Sequence, residues 1–155
     1  MLQALSEWPV AALLRQSAIL YPVVNAAHIM AIGLLFGAIV TLDLRLLGLF
    51  RRQGLSALAR PLQLVAATGL ALAALTGFLL CSVRPLAYAE NPAFLAKLGL
   101  IAFALLNLLV QRGNRYWRLA LADGAVHRSV RAAAAVSLLS WVAVVLAGRW
   151  IGFLQ

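Results

Sequence analysis

The chain has 155 residues, of which 65% are hydrophobic and only 11% charged, and its mean hydropathy is +0.97. Soluble domains typically have about a quarter of their residues charged, so this composition excludes an ordinary water-soluble fold and indicates a membrane protein. The net charge of +9 does not indicate nucleic acid, because the basic residues fall in two loops that flank apolar stretches.

The first segment, "SEWPVAALLRQSAILYP", offers Ser6 as a helix N-cap and predicts a short interfacial helix over about residues 6–19, ended by Pro22. Trp8 and Tyr21 are the aromatic residues expected to anchor it at the outer membrane surface. The apolar run that follows has Glu7 and no basic region before it and lacks a small-residue processing site, so it is expected to be retained.

Four stretches, about 21–44, 61–83, 92–110 and 129–150, reach the roughly 20 residues that a helix needs to span a hydrocarbon core. They predict an all-α integral membrane protein: a single domain over 1–155 built as a four-helix transmembrane bundle. Nine arginines (45, 51, 52 and 60 after the first span; 112, 115, 118, 128 and 131 after the third) fall on one side. That side is expected to be cytoplasmic, with both termini periplasmic or exterior. Cys81 is the only cysteine, so no intrachain disulfide is possible.

Asn91 and Pro92 in "ENPAFLAK" form a cap and first turn for the third span. That fixes Lys97 about one and a half turns into the helix. Gly69, Ala73 and Gly77, like Gly33 and Gly37, are spaced four apart and are expected to let helices approach closely. "RYWRLALADGAVHRSVR" is expected to be an amphipathic or turn-rich connector broken at Gly124.

Within the first span Asn25 and His28 share a face, roughly opposite Gly33 and Gly37. A polar ionisable side chain in a span is costly unless it pairs, binds a ligand or lines a cavity. The predicted topology puts His28, Lys97 and Arg149 in the outer half of the membrane, beneath a loop carrying Arg84, Tyr88 and Asn91. Neutral imidazole is a haem-iron ligand, and lysine or arginine can neutralise propionates at the membrane edge. The set His28, Lys97, Arg149, Asn25, Tyr88 and Asn91 is therefore the candidate cofactor site, with His28 as the metal ligand and haem b as the suspected cofactor. A CxxCH motif is absent, so any haem is non-covalent. His127 lies about 25–30 Å away by helix rise and reads as a solvated loop residue.

Copper is the rival cofactor, with His28, Met30 and Cys81 as soft ligands, although Met30 points about 200° around the helix from His28. A third reading is a non-catalytic subunit of a larger membrane complex. The expected partners are membrane lipid and a redox partner or a second copy, and no nucleic acid is expected. Any enzymatic activity would be that of a membrane oxidoreductase.

The motifs "HIMAIGLLFGAIVTLDLRL", Thr76–Gly77 and "KLGLIAFALLN" give the chain a resemblance to a superfamily of small bacterial inner-membrane proteins. It resembles the copper-resistance protein D family and the haem-b membrane protoporphyrinogen oxidase family. In layout ("WP…LYP…VNAAHI…LDLRLLG…NPAFLAKL…GRWIGFL") it is most similar to an uncharacterised bacterial four-helix membrane family. The resemblance spans about 90 residues and implies an inner-membrane location, with His28 and Lys97 at the oxidase family's functional histidine and lysine. The chain departs from the oxidase pattern where Leu34, Leu35 and "LDLR" replace a tryptophan and "LP". With that departure, the resemblance implies a haem site but not the oxidase activity. Copper-resistance proteins of this type are normally longer and imply copper movement.

Overall fold

The computed structural model describes residues 7–153. Among them are seven α-helices: α1 (Pro9–Gln16), α2 (Leu20–Leu47), α3 (Leu55–Val83), α4 (Pro85–Ala89), α5 (Pro92–Gly113), α6 (Arg115–Asp123) and α7 (Arg128–Trp150), followed by a 3-10 turn over Ile151–Phe153. The fold is all-α, and α2, α3, α5 and α7 are long and apolar enough to cross a membrane. Three short helices interrupt the simple succession of spans. At 1.5 Å per residue α2 and α3 are about 42 Å long, more than the roughly 30 Å of a hydrocarbon core.

The expected cap Ser6 lies outside the described residues, and α1 starts at Pro9 behind Trp8. Its buried residues Ala11 and Leu14 turn inward. Trp8 meets Phe78 of α3 at 6.5 Å between ring centroids, and Arg15 Nη2 donates to the Val83 carbonyl at 3.1 Å. Pro22 does not end α1. It falls in the first turn of α2, where no backbone N–H is needed, and Ser17 Oγ accepts from Leu20 N at 3.1 Å to close that turn.

The second span also starts earlier than Pro61. α3 runs through the proline from Leu55, because Leu55 and Ala59 are buried in a cluster with Leu46 of α2, Trp117 and Ala120 of α6, and Val130 and Ala134 of α7. An interior proline costs about 3 kcal/mol, and fully burying a leucine returns about 1.5–3 kcal/mol. Packing therefore sets this boundary.

α2 packs along α3 and α7, and α5 packs along α7, whereas α3 and α5 share no extended contact. Leu35, Ala104, Trp141 and Val144 form the mid-level core between them. The α2–α3 crossing is at Gly69: a Cβ there would stand 2.6 Å from Leu35 N and 3.0 Å from the Ala31 carbonyl oxygen. The face of α2 that makes this approach is Ala31, Leu35 and Ala38. Gly33 and Gly37, expected to serve it, have nothing within 4 Å of an added Cβ. Spacing alone identified small residues but not the face that meets a neighbour.

Asn91 caps α5 as predicted, its Oδ1 accepting from Ala93 N and Phe94 N at 3.0 and 3.3 Å. The connector after α5 folds into α6, capped by Asn114 and ended by Gly124 in the left-handed region. His127 is the N-cap of α7, its Nδ1 accepting from Ser129 N at 3.2 Å, and its ring stacks on Tyr116 at 4.0 Å. It is exposed, as expected, but it has a structural role.

Candidate functional site

His28 is half-buried where α2 faces α3. Its ring lies over Gly77, where an added Cβ would stand 3.0 Å from Cε1, so the absence of a side chain at that position makes room for the imidazole. Thr76 supplies the polar partner, with Oγ1 2.9 Å from His28 Nδ1. The same hydroxyl donates to the Leu72 carbonyl at 2.6 Å. A hydroxyl has one proton and two acceptor lone pairs, so Thr76 Oγ1 can accept from Nδ1–H while its own proton stays on the Leu72 carbonyl, and the ring has a further hydrogen bond with the Ala73 backbone.

Lys97 is placed in the same way by the other helix pair. Its side chain crosses Gly148 of α7, with Nζ 3.3 Å from the position of an added Cβ. The Lys97 charge lies within electrostatic reach of the His28 ring. Two polar side chains from α2 and α5, each seated over a glycine of the helix beside it, are thus brought to one level.

The remaining expected residues sit elsewhere or are otherwise engaged. Asn25 is exposed on α2. Arg149 is exposed, with its guanidinium over the Phe153 ring at 5.1 Å. Asn91 is buried, and besides capping α5 its Nδ2 donates to the Ile151 carbonyl at 3.5 Å. Tyr88 is half-buried and packs its ring against Phe94 at 5.4 Å. Of the other two members of the copper set, Met30 is 65% exposed on α2 and Cys81 is half-buried on α3. Among the described residues no group of three or more His, Cys, Asp and Glu could hold a metal ion.

α2 carries a second polar feature. Asp43 is 4% exposed, about 22 Å along the helix from His28 by rise. It lines a cleft of about 220 Å³ between α2, α3, α5 and α7, with Gln63, Gln111, Ser137 and Trp141. The Ser137 hydroxyl bonds to its carboxylate, while Oδ2 is buried with no partner among the described residues. The sequence signal was an aspartate within an apolar helix, but its neighbour Arg45 made it resemble the end of a span. Thr76 and Gly148 were also missed as partners, because the register between helices cannot be read from either helix alone.

No family model, no curated protein and no solved structure matches the chain.

Proposed function

We propose that the protein is a four-span bundle of the bacterial inner membrane, related to the small haem-b and copper-resistance membrane families, that binds one haem b non-covalently and serves in redox chemistry. The arginine-rich ends of the spans face the cytoplasm, the termini face the periplasm, and α1 lies at the outer surface. The observation that carries this reading is the seat of His28, over Gly77 and hydrogen-bonded through Nδ1 to Thr76. A metal-binding histidine commonly has its second nitrogen held in this way, and in this reading Nε2 would ligate, in exchange for any hydrogen bond it makes to the Ala73 backbone.

His28 would hold the iron, and Lys97 would meet a propionate or serve as a further iron ligand; Arg149, turned out onto Phe153, is not required. A bound haem would supply one-electron iron chemistry. The chain's own residues orient the imidazole through Thr76, make space for it at Gly77, and keep a positive charge near it through Lys97. The role is electron transfer or oxidation of a membrane-accessible substrate.

The test is the absorption spectrum of protein purified in detergent after haem-replete expression. A Soret band is expected in the parent, absent in His28→Ala and shifted in Thr76→Val. A parent without the band overturns the proposal, and a band retained in His28→Ala overturns the ligand assignment.

A further inference from the structure

The opposite end of α2 carries a pocket that the haem reading does not use. Its volume is about 230 Å³, and it is lined by Arg45, Leu46, Gly48, Arg51, Gly124, Val126 and Arg131. Three guanidinium groups from the end of α2, the following loop and the start of α7 border it, and no carboxylate lines it.

Arg45 is 7% exposed. Its Nε donates to the Gln53 carbonyl at 2.9 Å, and Nη2 donates to the Arg51 carbonyl at 3.5 Å. Nη1 has no partner among the described residues. Arg51 Nε donates to the Gly48 carbonyl at 2.9 Å. Gly48 is in the left-handed region, and a Cβ there would meet Arg51 Nη2 at 2.8 Å, so this glycine sets where the Arg51 guanidinium can lie. Arg131 has no side-chain partner among the described residues. Of the four acidic residues, Glu7 and Glu90 belong to the opposite end, and the buried Asp43 lines the other cleft with Oδ2 unpaired. Asp123 is exposed at the end of α6 beside Gly124 and forms no ion pair among the described residues.

Three neighbouring cations without a counter-ion repel one another, and the arginine fork is matched to phosphate oxygens. Basic pockets between helices at a cytoplasmic membrane surface bind anionic headgroups. We propose that this pocket binds a single phosphate group, carried either by the headgroup of an anionic phospholipid or by free inorganic phosphate. A general positive bias of the loops would require the charges but not their convergence on one pocket around a fixed loop.

The experiment compares the full chain with two double variants of equal charge change. Arg51→Gln with Arg131→Gln removes two pocket guanidiniums. Arg52→Gln with Arg118→Gln removes two exposed arginines on the same side that do not line the pocket. Each protein is reconstituted in phosphatidylcholine discs, titrated with phosphatidylglycerol or inorganic phosphate, and followed by native mass spectrometry and thermal unfolding. The pocket variant is expected to weaken phosphate-group binding about ten-fold, while the control matches the parent. Binding and stabilisation by phosphatidylglycerol alone assign the lipid as the source; the same response to inorganic phosphate assigns the free ion. Equal losses in both variants, or no saturable binding by the parent with either probe, overturn the proposal.

Discussion

The two ends of the α2–α3 pair handle polar side chains in different ways. At one end His28 lies over Gly77 and bonds to Thr76, and Lys97 lies over Gly148. At the other end Arg45 is held by loop carbonyls above a cluster of Leu46, Leu55, Trp117 and Val130. One end makes room, and the other fills it. Packing of bulky side chains therefore concentrates stability at the arginine end, in line with the uneven distribution of local stability in folded proteins.

Trp117→Ala gives the largest expected effect on this comparison. Trp117 is the bulkiest member of the arginine-end cluster, and truncating a buried tryptophan costs about 3–5 kcal/mol. Thermal unfolding in detergent should show a large fall in midpoint, with the His28 end unable to compensate. A loss below about 1 kcal/mol would mean that the cluster does not hold that end together.

Gly77→Ala probes the other end and should act on geometry more than on stability. Its Cβ would stand 3.0 Å from His28 Cε1, so the ring must yield by a few tenths of an ångström. The gain of about 0.5–1 kcal/mol from replacing a helical glycine offsets much of that strain. Nitrogen-15 spectra of the imidazole should report Nδ1–H in the parent and a mixture of tautomers in the variant. An unchanged tautomer in Gly77→Ala would show that the glycine does not position the ring.

Features encoded within one segment were legible in the sequence. Asn91 followed by Pro92 marks a helix start because cap and first turn are adjacent in the chain, and His28 stands out because an ionisable group in an apolar span is rare. Features that depend on a neighbour were not. Pro61 resembled a helix start, but Leu55 and Ala59 pack against α6 and α7 and carry the helix past it. Lys97 and Arg149 were both placed at the outer level by counting rise. The rotation of α7 then turns Arg149 outward, while Gly148 beside it receives the lysine. The first span was expected to end at about residue 44, beside Asp43, yet the helix continues to Leu47 and buries the carboxylate in the cleft.

Gly33 and Gly37 give the smallest expected effect and test the outward face of the same helix. Their spacing equals that of Gly69 and Ala73, yet an added Cβ at either meets nothing within 4 Å, whereas at Gly69 it would strike the α2 backbone. With no steric penalty, Gly33→Ala and Gly37→Ala should leave stability unchanged or raise it by up to about 1 kcal/mol each through the lower entropy of the unfolded chain. Unfolding in detergent at low protein concentration measures the single chain. The same measurement at high concentration in bilayers then adds whatever lies against that face. Destabilisation confined to the second condition would mean that a second helix surface meets Gly33 and Gly37 in the membrane, and destabilisation in both would mean that the α2 face was wrongly assigned to Ala31, Leu35 and Ala38.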